Sequence, residues 1–471
     1  MSDVAEGPRH TGGRGGVRLA DLRGHNTALV LDLVRGAGRD GISRPELALR
    51  TGLTVQAVSK ITGRLREAGL LAAAGRQEST GGKPATALRL VRGAVQALGV
   101  HLDRDAVLVV RTDLTGRALA RRRVPLDLGR GAGEVVDVVA GAMADVLAGE
   151  DGRGEARGVV GGVTEAGDGG GAAEVGVAGG VTGAGHRGAG GTGARAVGDG
   201  DARAAGDAWA AGDGDARAAG DGDARAAGDG DGDARAAAEH GEPPLLLGAG
   251  LAAPGPLDHR TGVLHKVSGF PGLDGLPLAA ALSERLGLPV VLDKDTNAAA
   301  LGRALAGDAR AFAYLHLGTG LGAGLVLDGR LYRGPRTGAG ELGHQVVRLD
   351  GPPCVCGNRG CVEALCLAAL AAGDTAEAAR VLGTAAANLV GLLDVELVLL
   401  GGHRIAAAPE AFVRGVTAAL DARASRTGTE PVRVRAAEGA SGAAGGGDGA
   451  IAEGAAQLVL APLFGRLPAE E

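Results

Sequence analysis

Large side chains are scarce in this chain of 471 residues, which has one tryptophan, two tyrosines, four phenylalanines and two methionines against 89 glycines. No apolar run approaches the ~20 residues that a membrane-spanning helix needs, and the amino terminus lacks the apolar core of a signal peptide. There are only four cysteines, and three of them stand at metal-ligand spacing, which fits a reducing environment. We therefore expect a cytoplasmic protein with no membrane partner, long enough for two or three domains.

The chain also lacks an even distribution of charge. Residues 1–92 contain 15 Lys and Arg against 8 Asp and Glu, a net charge of +7, whereas the whole chain carries −6. The remainder is therefore acidic, at −13. A basic amino-terminal module on an acidic body indicates a polyanionic partner for that module alone.

Residues 149–241 are almost free of large apolar groups and repeat Gly-Asp-Gly-Asp-Ala-Arg-Ala-Ala at 212–219 and 220–227. Such a segment cannot bury enough surface to offset its ordering entropy, so we predict a disordered insertion. A calcium-binding repeat is the alternative, because Asp-x-Asp recurs. The regular aliphatic positions of a β-helix are missing, however.

The most specific pattern is one imidazole and three thiols within eighteen residues: His344, Cys354, Cys356 and Cys361. Soft thiolates and a neutral imidazole suit four-coordinate Zn²⁺, and four protein ligands favour a structural ion over one that activates water. The glycines at 357 and 360 allow the sharp turns that such convergence needs. The alternative is three buried free thiols beside an unrelated histidine. Cys366 lies outside the pattern and is predicted to be a core residue.

The basic end has the pattern of a winged helix-turn-helix. Residues 26–38 place apolar groups at helical spacing, and Ser43-Arg-Pro-Glu46 begins a second helix with a capping box. After a turn at Gly52, Thr54 caps a third helix over residues 55–68, the predicted recognition helix. Residues 69–71 and 87–91 can pair as a hairpin whose wing spans 76–84.

Polar side chains on the third helix suit base edges and phosphates. The predicted DNA-binding residues are Thr54, Gln56, Ser59, Lys60 and Arg64, with Lys83 of the wing reaching a minor groove or a phosphate; Thr62 is placed on the same exposed side. A protein-interaction module with a solvated polar face, and a wing loop without a role, remain the alternatives.

The acidic body begins with strands at 97–103, 107–113 and 118–125. After the insertion it continues with a buried strand and tight turn over 245–256, a strand from residue 290 that leads into a helix, and a strand from residue 313 that ends in a glycine-rich turn at 318–324. Taken with Glu341-x-Gly-His344 and Cys354-x-Cys356-Gly-x-x-Gly-Cys361-x-Glu363, these segments resemble the ROK family of sugar-responsive repressors and bacterial sugar kinases. The resemblance covers residues from about 20 onward except the insertion. It implies an α/β fold in which a winged helix-turn-helix precedes a two-lobed, ribonuclease H-like domain of the sugar kinase and actin type.

The resemblance also implies site roles. His344, Cys354, Cys356 and Cys361 would hold structural zinc, while the other edge of His344 would face a sugar. Glu341, Glu363 and Asp295 would accept hydrogen bonds from sugar hydroxyls, and Asp295 occupies the general-base position of the kinases. A solvated surface pair is the alternative for Glu341 and Glu363. Gly318-Thr319-Gly320 and Gly401-Gly402 match nucleotide-binding positions, although tight turns explain them as well.

The first phosphate-binding motif of the kinases, Asp-x-Gly-Gly-Thr, is replaced here by Asp103-Arg-Asp-Ala-Val. Asp105 puts negative charge where phosphate would sit, and one like charge at ~4 Å costs about 4 kcal/mol at an effective dielectric near 20. We therefore expect no kinase activity. Lys294 replaces the asparagine usual in the kinases, and we expect it to pair with Asp293 or Asp295.

These observations predict a DNA-binding repressor whose operator affinity is changed by a sugar or sugar phosphate, acting as a homodimer or higher homo-oligomer. A sugar kinase with a fused DNA-binding module, and a regulator that has lost ligand binding, are the alternatives. The predicted domains are a disordered tail (1–22), the winged helix-turn-helix (23–92), the first lobe in two parts (93–148 and 242–310) around the insertion (149–241), and a second lobe with the metal motif and a C-terminal helix (311–471).

Overall fold

Three helices and a small antiparallel sheet form the amino-terminal part of the protein. The structure is a computed structural model and describes residues 24–76, 86–149, 244–267, 270–437 and 448–466. The helices are α1 (His25–Gly36), α2 (Arg44–Thr51) and α3 (Val55–Glu67). Strands β1 (Ile42–Ser43), β2 (Leu71–Arg76) and β3 (Thr86–Leu90) form a sheet in the order β1-β3-β2. This is the predicted arrangement of a winged helix-turn-helix, and the predicted insertion, apart from Gly149, and wing tip lie outside the described residues.

Local capping explains where these helices begin and end. The Ser43 hydroxyl accepts a hydrogen bond from the Glu46 amide at 3.4 Å, and the Thr54 hydroxyl accepts one from the Ala57 amide at 3.2 Å. Gly52 ends α2 at a φ of 70°, a conformation that favours glycine. The turn between α2 and α3 is therefore fixed by side chains that the sequence supplies at those positions.

The first lobe is built on a mixed five-stranded sheet. Its order is β10-β7-β4-β5-β6, with β4 parallel to β7 and antiparallel to β5. The strands are β4 (Val95–Leu102), β5 (Ala106–Asp113), β6 (Ala118–Pro125), β7 (Leu245–Ala253) and β10 (Val290–Lys294). Helices α4 (Ala132–Ala148) and α5 (Leu278–Leu286) contact one another, and α4 also contacts β5 and β6. A short hairpin of β8 (Leu257–Asp258) and β9 (Val263–Leu264) follows β7.

The second lobe has its own five-stranded sheet, in the order β13-β12-β11-β14-β15. The strands are β11 (Phe312–Leu317), β12 (Leu321–Leu327), β13 (Arg330–Tyr332), β14 (Leu397–Gly401) and β15 (Arg433–Ala436). Its helices are α7 (Val362–Ala371), α8 (Thr375–Leu393), α9 (His403–Ala406) and α10 (Pro409–Thr427). Apolar residues of α7, α8 and α10 share one core with β11 and β14.

Helix α6 (Asp295–Ala306) lies between the two sheets, in contact with β7 and β10 of the first and β11 and β12 of the second. The last helix, α11 (Asp448–Leu460), contacts α6 and packs on β4, β5 and β7. Gly99 and Gly250 permit that approach, because a Cβ at either position would overlap a carbonyl of α11. The sequence places this helix in the second lobe; its packing is on the sheet of the first.

All of the described residues belong to one compact unit. Within the described ranges, no helix is both long and apolar enough to cross a lipid bilayer.

Candidate metal centre and ligand site

One nitrogen and three sulfur atoms converge in the segment before α7. The ligand atoms of His344, Cys354, Cys356 and Cys361 all lie within 4.8 Å of one another. His344 Nδ1 is 3.6 Å from the Cys354 sulfur, and the Cys356 and Cys361 sulfurs are 3.7 Å apart. A tetrahedral zinc ion with ligand distances of about 2.0–2.3 Å would separate its donors by roughly 3.5–3.8 Å. The cluster therefore has the donor set and the spacing of a metal site.

The backbone around the cluster depends on glycine. Gly357 and Gly360 have φ angles of 90° and 65°, in the left-handed region that side chains disfavour. A Cβ at Gly360 would also overlap the carbonyl of Arg348. Isolated bridges between Val346 and Cys361 and between Pro353 and Arg359 hold the segment together. The turns predicted from the two glycines are thus present.

The thiols lie in different environments. Burial, reinforced by hydrogen bonds among the thiols, raises the pKa of Cys361 to about 12, and burial also raises the pKa of Cys354. The amide of Asn358 lowers the pKa of Cys356. A divalent cation would stabilise all three thiolates together. Cys366 is buried outside the cluster and hydrogen-bonds the Ala378 carbonyl at 3.5 Å, in accord with its predicted place in the core.

Two of the predicted ligand residues sit at helix starts. Asp295 is the first residue of α6, half-buried, and accepts a hydrogen bond from the Thr296 amide at 2.6 Å. Glu363, in the first turn of α7, is buried and accepts a hydrogen bond from the Leu321 amide at 2.7 Å. The alternative interpretation of Glu363 is a solvated surface group, and its burial and hydrogen bond at a helix start do not agree with that. Glu341, by contrast, is 49% exposed.

Lys294 has a different partner from the two that the sequence predicts. Its ammonium donates to Glu341 Oε1 at 2.9 Å and to the Ala339 carbonyl at 2.5 Å, and the side chain is only 4% exposed. Asp293 is instead bound by Arg333 at 2.6 Å and by Asn297 at 2.7 Å. The expected pairing of Lys294 with Asp293 or Asp295 is therefore wrong. Glu341 lies 47 residues away, and local sequence does not indicate such a partner.

The two glycine motifs assigned by resemblance to nucleotide are explained by packing. A Cβ at Gly401 would overlap the Tyr314 ring, and one at Gly402, where φ is 101°, would overlap the Leu317 carbonyl. The Thr319 hydroxyl lies 3.4 Å from Asp103 Oδ1, so the turn after β11 contacts the end of β4. Asp105, two residues further along the chain, is exposed. These contacts favour the interpretation of both motifs as tight turns.

The predicted recognition helix presents its polar side chains to solvent: Thr54, Gln56, Ser59, Lys60 and Arg64 are exposed. Thr62 is the exception, because it is fully buried and accepts a hydrogen bond from Arg44 Nε at 3.0 Å. Its predicted exposure is wrong, since it follows Ile61 on the buried edge of the helix. Lys83 lies outside the described residues.

Part of the body is similar to known proteins. Residues 237–373 match the ROK family. A glucokinase from Thermotoga maritima is 42% identical over 120 residues, which are 25% of this chain and 38% of that protein. A xylose repressor from Bacillus subtilis is 34% identical over 122 residues, 25% of this chain and 31% of that protein. The chain therefore contains a ROK family domain, and its matches span less than half the length of these relatives.

A solved structure covers almost the whole chain. It is described as the crystal structure of a ROK family transcriptional regulator, a homologue of the E. coli MLC protein. The superposition covers 94% of this chain and 100% of that chain, with a TM-score of 0.59 and 19% sequence identity. At this identity the match establishes the fold, and it confirms the predicted α/β class with a ROK domain of the sugar-kinase type.

Proposed function

We propose that this protein is a sugar-responsive, DNA-binding transcriptional regulator, most simply a repressor. The observation that carries the proposal is the joining of a winged helix-turn-helix with an exposed polar helix α3 to a ROK domain that keeps Asp295, Glu341, His344 and Glu363. The sequence match to a xylose repressor supports it. The basic charge of residues 1–92 suits a phosphate backbone.

Within that function, the ROK domain binds the effector. Carboxylates accept hydrogen bonds strongly from sugar hydroxyls, and Glu363 is already oriented by the Leu321 amide. His344 uses Nδ1 toward the thiols, which leaves Nε2 for a second contact. The effector can change operator affinity only if it binds two conformations of the protein with different affinities. We expect a homodimer or higher homo-oligomer, because winged helix-turn-helix domains commonly bind paired half-sites in DNA.

We also propose that the His344, Cys354, Cys356 and Cys361 cluster holds a structural zinc ion. Four protein donors would complete the coordination of the ion, so it would fix the segment before α7 and would not activate water. That segment delivers Glu363 to the start of α7.

The decisive experiment has two stages. DNA that co-purifies with the protein is sequenced to find the operator, and operator affinity is then measured by fluorescence anisotropy at fixed salt with xylose, glucose or N-acetylmannosamine. We expect one sugar to change operator affinity about 5- to 150-fold. Operator binding that is specific but indifferent to every sugar would instead identify a regulator that has lost ligand binding.

A sugar kinase with a fused DNA-binding module is the second candidate, because a glucokinase is 42% identical over 120 residues. It requires ATP turnover with a hexose. The altered first motif, Asp103-Arg-Asp-Ala-Val, and the exposed Asp105 argue against it.

A further inference from the structure

Arg35 joins the amino-terminal helices to the body of the protein. It lies in the last turn of α1, and its Nη2 donates to the Leu305 carbonyl at 3.0 Å. Leu305 is in the last turn of α6, the helix whose first residue is Asp295. One helix therefore has the candidate ligand site at its first residue and the DNA-binding module at its last turn.

Arg35 is held firmly in this position. Its side chain is only 14% exposed, its guanidinium carbon lies 4.8 Å from the centre of the Phe464 ring, and Asp32 Oδ1 accepts from it at 3.2 Å. Arg466 binds the other oxygen of Asp32 at 3.1 Å. Arg35 thus contacts α6 and the carboxyl-terminal segment at the same time, and a movement of α6 relative to α1 must break or stretch these contacts.

Helix α6 is packed closely enough on both sides to resist bending. Its 12 residues extend about 16–18 Å at 1.5 Å per residue. Backbones approach it closely on both sides: a Cβ at Gly324 of β12 would overlap the Thr296 carbonyl, and one at Gly454 of α11 would overlap the Ala298 carbonyl. Packing this tight leaves little room for bending, so a shift at Asp295 is transmitted to Leu305.

The carboxyl-terminal segment supplies a second connection between α6 and α1. Helix α11, which packs against α6, continues into a 3-10 turn at Ala461–Phe464 that contacts α1. Leu460, Leu463 and Phe464 share a core with Val30 and Leu31 of α1. The orientation of α1 therefore depends on α6 through Arg35 and on α11 through this core.

We propose that Arg35 couples effector binding to DNA binding, by connecting the end of α6 to the first helix of the winged helix-turn-helix. The inference rests on the proposed function and names the residue that transmits its regulation. Effector contacts at Asp295 shift α6, the Leu305 carbonyl moves relative to Arg35, and α1 and the recognition helix α3 are reoriented with it. Arg35 contacts neither the sugar nor, in this scheme, the operator; it is a positioning residue.

The test separates coupling from binding. In Arg35→Met, sugar affinity is measured by calorimetry and operator affinity by fluorescence anisotropy, each with xylose, glucose and N-acetylmannosamine. We expect the affinity for sugar, and the affinity for operator in the absence of sugar, to stay within about twofold of wild type. The sugar-induced change in operator affinity should fall from about 10-fold or more to less than about twofold. Arg50→Met, which removes an exposed pair with Glu46 on α2, is the matched control and should keep the full change.

Each result has a defined meaning. If Arg35→Met retains the full sugar-induced change, the coupling role is overturned while the proposed function stands. If wild-type operator binding ignores all three sugars, both fall together. Should the methionine variant fail to fold by circular dichroism, Arg35→Lys keeps a cation over Phe464 but loses the planar fork that serves Asp32 and Leu305 together. It should then show a reduced change, and an undiminished one overturns the proposal.

Discussion

Lys294 shows how one substitution changes the character of a site without removing it. The sequence suggests that an ammonium here would pair with Asp293 or Asp295, which would bear on sugar affinity. Lys294 instead points to Glu341 and the Ala339 carbonyl, and no hydrogen bond links it to Asp295 among the described residues. Asp295 is therefore not occupied by the Lys294 ammonium, although its Oδ1 accepts from the Thr296 amide, and Glu341 is the predicted ligand residue that Lys294 binds.

The Lys294–Glu341 pair predicts an asymmetry between two variants. Lys294 is 4% exposed and Glu341 is 49% exposed, so removing the carboxylate leaves a buried ammonium whereas removing the ammonium leaves a solvated carboxylate. We expect Glu341→Gln to lower the free energy of unfolding by about 2 kcal/mol and Lys294→Met to change it by less than about 1 kcal/mol. Urea unfolding measures both. Equal losses would mean that the ammonium is not effectively buried.

His259 predicts a pH dependence of stability. Its Nδ1 lies 2.7 Å from the Thr337 hydroxyl. Burial lowers the pKa of His259 below its ordinary 6.5, with nearby Arg333 and Arg260 acting in the same direction and Asp293 and Asp258 opposing them. The folded protein then binds fewer protons than the unfolded chain just below pH 6.5. The contribution of His259 to the free energy of unfolding is therefore fully present above that pH and is lost as pH decreases.

The expected loss for this one group is at most about 1.4 kcal/mol per pH unit. His259→Asn keeps a hydrogen-bonding partner for Thr337 and removes the titration. Urea unfolding of both proteins between pH 7.5 and 5.5 should give a difference in unfolding free energy that changes with pH only below about 6.5. A constant difference throughout this range would show that His259 titrates equally in both states.

At the scale of elements, most of the fold is readable from local sequence. Ser43, Gly52 and Thr54 set the bounds of α2 and α3 because caps and glycine turns act within a few residues. The third strand of the meander, β6, has the predicted bounds for the same reason. Local sequence does not predict where α11 packs, because its packing depends on Gly99 and Gly250, which lie more than 190 residues earlier in the chain. Helical periodicity predicts a buried face but not the sheet that buries it.

The candidate site divides in the same way. The His344 and cysteine cluster lies within eighteen residues, so ligand spacing alone predicts it. The pairing of Lys294 with Glu341 and that of Arg35 with Leu305 join residues 47 and 270 positions apart. No periodic pattern encodes such contacts. They follow only once the two sheets and α6 between them are in place.

The segment before α7 predicts the effect of removing a metal ligand. Cys356→Ser should lower bound zinc, measured by plasma mass spectrometry, from about one ion per chain to less than about 0.1, because one weak ligand in a tetrahedral site removes most of the affinity. Limited proteolysis should then cut between residues 345 and 361. Cys366→Ala, at the thiol outside the cluster, is the control and should retain zinc. Stoichiometric zinc in Cys356→Ser would reject the cluster as the site.

At the scale of the whole molecule, α6 lies between two five-stranded sheets, and β4 leads into Asp103-Arg-Asp-Ala-Val, where the resemblance implies the kinase motif Asp-x-Gly-Gly-Thr. Phosphoryl transfer depends on positioning and on groups that stabilise the charge of the phosphates. Here Asp103 contacts Thr319 and Asp105 is exposed, and the resemblance implies that these carboxylates would stand where the kinases bind phosphate. This difference supports our proposal that the body binds an effector and transmits a change of conformation to α1.

That difference predicts the absence of efficient turnover. With ATP and glucose, xylose or N-acetylmannosamine, coupled release of ADP should remain below about 0.01 per second, against the 1–100 per second typical of kinases. Asp295→Asn is the matched control, because the resemblance gives Asp295 the general-base position and kinase activity that uses this base must fall in that variant. ADP release that is fast in the wild type and lost in Asp295→Asn would establish a kinase. Slow release that is equal in both would not come from this site and would leave the proposed regulatory function in place.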